Sequence, residues 1–191
     1  MNLSVLLFLL ILTLSSNIVS QTRANTVLDV QLAAGAGPGP TGSTRSRMVK
    51  TVGESTPTAG ELEQEVFTLV NAERNKNGLN TLEWNESLAD LARLHSRDMA
   101  SRKFFGHRGS DGSMVDDRAD RIGLGIWRSI GENIAYMRGY DGPAQLAVQK
   151  WLESTAHRKN LLGATWKESA IGVAIAADGT YYFTEVFLLR R

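Results

Sequence analysis

No cysteine occurs anywhere in the chain. That excludes a disulfide framework, a thiolate nucleophile and any cysteine-based zinc site, and leaves core packing to hold the fold together. An excess of one charge is missing too, since 21 Lys and Arg face 20 Asp and Glu for a formal balance of +1. With the two signs interspersed, no field selects nucleic acid or an anionic membrane as partner. There is no glycine-rich loop between a strand and a helix, hence no nucleotide site, and no Gly-x-Ser-x-Gly elbow of a serine hydrolase. Internal repeats are absent. Histidine is scarce, with His95, His107 and His157 the only three. No apolar run is long enough to cross a bilayer: Val5–Leu14 has the length of a signal-peptide h-region, well short of the roughly 20 residues a span needs. Ser15, Ser16 and Ser20 follow it as small residues near a cleavage point. Residues 1–20 therefore read as a secretory signal peptide, although the n-region carries no Lys or Arg. The expectation is a secreted protein, extracellular or periplasmic, with no transmembrane segment in the mature chain.

What is present suits one domain with extras. A length of 191 residues, 42% hydrophobic and 21% charged, is ordinary for a globular chain. Residues 21–59 are rich in Gly, Pro, Ser and Thr without hydrophobic periodicity, and read as a flexible linker. The folded domain is expected over 60–191. Leu62, Val66, Leu69 and Val70 recur at helical spacing up to a stop at Gly78. Asn85 is a natural N-cap for a second helix carrying Leu88, Leu91, Ala92, His95 and Met99 on one stripe. Asn85-Glu86-Ser87 also matches a glycosylation sequon, but capping is the favoured reading. A short helix over Val115–Ile122 closes at Gly123. Gly142-Pro143 opens another long helix, with Ser154 placed to break and re-cap it. Ile171, Val173 and Ile175 alternate with small residues. Asp178-Gly179 reads as a two-residue turn, and Tyr181–Leu189 returns as a strand. Helices first and paired strands last give an α+β expectation rather than a doubly wound sheet.

Several segments together carry a family resemblance: Leu69–Gly78 (LVNAERNKNG), Leu91–His107 (LARLHSRDMASRKFFGH), Gly131–Ala135 (GENIA), Trp151–Leu162 (WLESTAHRKNLL), Ile171–Ala176 (IGVAIA) and Tyr181–Phe187 (YYFTEVF). In this order they resemble the CAP superfamily of cysteine-rich secretory, antigen 5 and plant pathogenesis-related 1 proteins, in its cysteine-free bacterial-type SCP branch. The resemblance covers roughly residues 62–189. It implies a three-layer α-β-α sandwich with a central antiparallel sheet, and a cleft lined by two histidines and two glutamates that holds a divalent metal in some members. His107 matches the first histidine and Glu132 the first glutamate. Two positions depart from the pattern: Ser154 stands where eukaryotic members have a glutamate, and Tyr182 where they have a histidine. The bacterial-type Ser-x-x-His-Arg segment is Ser154–Arg158, which makes His157 the replacement ligand.

Two imidazoles and a carboxylate form a partial ligand set for zinc or another divalent cation, so His107, Glu132 and His157 are the candidate metal ligands. No short spacing forces them together. The competing reading is a polar network that ties loops to one another. His95 reads first as a buried, hydrogen-bonded structural histidine and second as part of the cleft floor. Glu185 reads equally as a cleft acid or as the exposed member of an alternating strand. Arg158 could pair with Glu132 or cap a helix, and the four tryptophans read as core or groove wall. Glu132 is the candidate general base if the protein is a metal-dependent hydrolase. Nothing in the residues demonstrates turnover, and binding of a lipid, peptide or cell-wall glycan is favoured over catalysis. A structural or adhesive surface unit presented by the linker is the third reading.

Overall fold

The computed structural model describes residues 56–191. The signal-peptide reading of residues 1–20, and the linker up to residue 55, lie outside the described residues. In chain order the elements are α1 (Ala59–Lys76), β1 (Glu83–Trp84), α2 (Glu86–Arg102), α3 (Val115–Arg121), β2 (Trp127–Met137), α4 (Pro143–Glu153), α5 (Thr155–Leu161), β3 (Glu168–Ile175) and β4 (Tyr181–Arg190). No described helix is long and apolar enough to cross a membrane.

Local chemistry starts and stops these helices where the residues suggest. Thr58 and Glu61 form a reciprocal capping box at the start of α1. Asn85 accepts from the Leu88 amide at 3.2 Å as the cap of α2, while its amide nitrogen donates to Glu168. Gly142 in the left-handed region and Pro143 at the first turn open α4. Ser154 ends α4 and begins α5, but its side chain makes no capping bond.

The sheet order is β1-β3-β4-β2. β3, β4 and β2 run antiparallel, while two-residue β1 pairs parallel with β3, so the expected antiparallel sheet is mixed at one edge. The hairpin also differs from its two-residue expectation. Ala176 and Thr180 close it with a 2.8 Å bond, leaving three residues in the loop with Gly179 at φ +81. The strand β2 was hidden in the sequence, because buried Glu132 and Asn133 interrupt its apolar alternation.

Helices cover both faces of the sheet. Leu62, Val66 and Val70 of α1 and Ala147 and Trp151 of α4 pack on Ile171, Val173, Phe183 and Phe187. On the other face Leu88, Leu91 and Ala92 of α2, with Val115 and Ala119 of α3, pack on Ile130, Ala170, Val186 and Leu188. This is the three-layer α+β sandwich that the resemblance implied. Trp127, Trp151 and Trp166 are core residues, and Trp84 packs edge-on to Phe67.

Side chains cap backbone groups on β3 and on the outer strand β2. On β3, Glu63 accepts from the Val173 amide at 3.1 Å, and Arg93 holds that carboxylate through its Nε and Nη2. On the outer strand β2, alternate carbonyls are capped: Glu132 O by Asn160 Nδ2 at 3.2 Å and Ile134 O by Trp151 Nε1 at 3.0 Å. These bonds occupy groups that would otherwise pair with a foreign strand. They also dock α4 and α5 against β2, and this positions the site.

Candidate functional site

The site gathers at β2, between the loop after α2 and helix α5. Antiparallel register places Glu132 opposite Val186, so its carboxylate shares the sheet face covered by α2 and α3. There it is 1% exposed. Arg118 Nη2 donates to its Oε2 at 2.5 Å, and His107 Nδ1 donates to its Oε1 at 2.8 Å. His95 Nε2 lies 3.9 Å from Oε1 and donates instead to the Gly106 carbonyl at 2.9 Å. Burial alone would raise the Glu132 carboxyl. The Arg118 charge, the His107 hydrogen bond and the histidine charges outweigh it and hold the group at about 2. Glu132 is thus an ionised anchor with both oxygens engaged.

Arg118 was not singled out in the sequence. It sits in the charged run Val115–Arg121, which looks like a solvated face, yet it is buried. Besides Glu132 it binds the carbonyls of His107 at 3.1 Å and Ser113 at 2.9 Å. One guanidinium therefore holds both the carboxylate and the loop that carries His107. The alternative partner, Arg158, is exposed on α5.

Helix α5 delivers His157. Asn133 Nδ2 donates to the His157 carbonyl at 3.1 Å, and Asn160 Nδ2 bridges Asn133 and the Glu132 carbonyl. The two imidazole rings of His107 and His157 are 6.3 Å apart between centroids. Burial, and then the His107 charge, lower His157 to about 4, so it is neutral near pH 7. His95 is also lowered, chiefly by burial.

Three of the five expected cleft residues thus meet directly, His95, His107 and Glu132, with His157 facing His107. The Nε2 atoms of His107 and His157 and the Nδ1 of His95 are buried with no hydrogen-bond partner among the described residues. Among the described residues no hydroxyl reaches His107 Nε2, so they form no Ser-His-acid arrangement there. Ser96 is committed elsewhere, to the Gly172 carbonyl and Thr184. Among the described residues, no group of three or more His, Cys, Asp or Glu is placed to hold a metal ion. Arg118 and His107 already engage both oxygens of Glu132, and the unpartnered atoms that remain are one imidazole nitrogen on each of His95, His107 and His157.

Glu185 is set apart. Its register partner is Asn133, so it lies on the opposite sheet face from Glu132, under α1. It accepts from Ser169 Oγ at 3.3 Å and is fully buried. Burial pushes its carboxyl up to about 8, against smaller opposing effects of the Ser169 bond and the Arg74 charge. A neutral carboxylic acid can both donate and accept a hydrogen bond, as a glutamine amide does. The folded state keeps a proton that the unfolded chain releases near 4.5. Stability from this group is therefore complete below that pH and declines as pH rises toward 8. The lowered histidines act oppositely, but only below their unfolded value of 6.5. The window from 6.5 to 8 isolates Glu185. Denaturant melts there are expected to show the wild type losing about 2 kcal/mol and Glu185→Gln losing none. Equal slopes in the two proteins count against a buried neutral acid.

A four-stranded sheet between two helical layers, with a buried His-Glu-Arg cluster beside its outer strand, defines an SCP-type α-β-α sandwich. The chain belongs to the CAP family, described as the cysteine-rich secretory protein family, whose model matches residues 67–187. It is 38% identical over 128 residues to an uncharacterized membrane protein of Bacillus subtilis, YlbC, and 34% identical over 126 residues to an uncharacterized protein of the same organism, YkwD. Those matches cover 67% and 66% of this chain but only 34% and 46% of the relatives, so the chain spans less than half of their length. Among solved structures, an extracellular SCP-domain protein from Bacillus anthracis is 32% identical at a TM-score of 0.55, covering 72% of this chain and 45% of that one. An outer surface protein from Borrelia burgdorferi has a TM-score of 0.63 at 18% identity, over 71% of this chain and 97% of its own, and shares the fold.

Proposed function

We propose that this domain is an extracellular binding module whose His107/His157 cleft receives a polar ligand, and that it is not a hydrolase. The observation that carries the reading is the pair of buried, partnerless Nε2 atoms on two facing imidazoles. Buried polar atoms without partners are rare in native folds, and two at one place point to a group that completes them. Glu132 argues against catalysis. A carboxylate held at about 2, with both oxygens engaged, is a poor proton acceptor near neutrality. Its bond to His107 Nδ1 instead fixes that ring and points the buried Nε2 away from the carboxylate, as carboxylates do behind ligating histidines. The extracellular setting is supported by the secretory pattern of residues 1–20 and by the Bacillus anthracis relative, named as an extracellular protein.

A divalent cation fits the two imidazoles in part. They would supply two nitrogen ligands, with remaining positions taken by solvent or the ligand itself, and Glu132 would stay behind His107. Zinc titration calorimetry on the full-length protein tests this. The expected result is micromolar binding, lost in His107→Ala and in His157→Ala and weakened about tenfold in Glu132→Gln. A folded protein that takes up no zinc removes the cation. The nitrogens are then left to hydrogen-bond an organic ligand, such as a cell-wall component or peptide.

A further inference from the structure

A second feature lies on the same sheet face, toward the hairpin end, and the cleft does not account for it. Tyr136 on β2 pairs directly with Tyr182 on β4, which pairs in turn with Ala174 on β3. The register thus lays two tyrosines and an alanine in one line across the sheet. Phe105, from the loop after α2, extends the line on the β2 side. Ring centroids step 4.6 Å from Phe105 to Tyr136 and 6.0 Å from Tyr136 to Tyr182. The tyrosine rings are 20° from parallel, and at that spacing they are offset rather than sandwiched. All three rings are half-buried.

Beyond Tyr182, the small Ala174 opens the line into a groove of about 820 Å³ between α2 and the hairpin. Arg97, Asp98, Lys103 and Asp178 bring four charges to it. The two acids are already engaged: Asp98 accepts from the Ser110 amide and hydroxyl, and Asp178 pairs with Arg138 and accepts from the Thr180 amide. No described residue pairs with the side chains of Arg97 or Lys103. Lys103 is also the one described non-glycine residue in the left-handed region, at φ 56 and ψ 46. Lys103 caps the C-terminus of α2 in this conformation, its amide donating to the Met99 carbonyl, and a lysine there costs roughly 1 kcal/mol or more relative to the usual glycine.

We propose that the Phe105–Tyr136–Tyr182 row and the adjoining groove bind a carboxylate-bearing glycan chain. Successive pyranose rings stack their C–H faces along the aromatic row, and Arg97 and Lys103 take the sugar carboxylates. The site stands whether or not the histidine cleft holds a cation. Other occupants fit less well. An acyl chain wants an enclosed apolar channel, and this groove is half-open and carries four charges. A peptide adding as a strand needs a free run of edge groups, and Glu63, Asn160 and Trp151 occupy groups on β3 and β2. Single-stranded nucleic acid also stacks on aromatics, but it follows a groove of many cations along its phosphates, and of the described residues only Arg97 and Lys103 stand unpaired here.

The test is calorimetry of the full-length protein with an oligogalacturonate, beside palmitate and a single-stranded DNA oligonucleotide. The expected result is binding of the oligogalacturonate, weakened when salt rises from about 50 to about 500 mM. Tyr182→Ala and Tyr136→Ala are expected to weaken it at least about tenfold, and Tyr182→Phe less than about twofold. Lys103→Gly separates function from folding, since glycine relieves the left-handed backbone. Its melting temperature is expected to rise while binding falls about fivefold or more. Absence of oligogalacturonate binding by the folded protein overturns the proposal. So does unchanged affinity in Tyr182→Ala and Lys103→Gly, and so does tighter binding of palmitate or of the oligonucleotide.

Discussion

Gly172→Ala is expected to cost on the order of 3–5 kcal/mol and to lower the melting temperature by more than about 10 °C. Gly172 lies in β3 where α2 crosses the sheet. A Cβ there would stand 2.1 Å from the Arg93 nitrogen and 2.2 Å from the Ala92 carbonyl carbon. Both are backbone atoms of α2, so no rotamer change relieves the clash and the helix itself must move. It is held down at the same point, because Ser96 Oγ donates to the Gly172 carbonyl at 2.8 Å and also bonds Thr184. Displacing α2 also displaces His95 and the Phe104–His107 segment that follows it. Both thermal stability and the His107 cleft are therefore expected to suffer. Gly60→Ala is the control, since a Cβ at that helical position meets nothing within 4 Å. It is expected to be neutral or stabilising by about 0.5–1 kcal/mol. If circular-dichroism melts place Gly172→Ala within about 3 °C of the wild type, the close approach of α2 is wrong.

Arg118→Ala is expected to be comparably severe, about 3–5 kcal/mol, because it strands an ionised carboxylate in the interior. Glu132 is 1% exposed, and among the described residues its other possible cation partners are the neighbouring histidines. The same substitution frees the carbonyls of His107 and Ser113. The pH dependence follows from the carboxyl held at about 2. Wild-type stability from this group is present above the unfolded value of 4.5 and is lost as pH falls toward 2. Without Arg118 the carboxyl rises, so the deficit of the variant should shrink on acidification. Combining Arg118→Met with Glu132→Gln removes both charges and should recover part of the loss, as a double-mutant cycle read by urea melts. Additive losses in that cycle would falsify the buried pair as a coupled unit.

The helices were readable from the chain because their signals are local. The Thr58 capping box, Asn85, Gly142-Pro143 and the 3.6-residue apolar stripes each act within a few positions. The α+β class and the family followed from segments in order, and the structure and the family match bear both out. His107, Glu132 and His157 are a partial ligand set by chemistry, but only the resemblance brought them together, since each lies 25 positions from the next. Strand β2 escaped because its buried polar residues mimic a loop pattern. Arg118 escaped because an arginine among aspartates looks solvated until β2 is laid against α3.

Glu185 marks the boundary between the two kinds of information. Its alternation along β4 says which residues share its face, but not which of the two helical layers covers that face. Pairing with Asn133 rather than Glu132 decides it, and one step of register sends the carboxylate to the opposite side of the sheet. The same long-range pairing lines up Tyr136, Tyr182 and Ala174 from three strands. Caps, stripes and turns depend on neighbours within a few residues and can be read in one dimension. The charge that meets Glu132 and the ring that meets Tyr182 depend on packing between distant segments, which only the folded chain brings together.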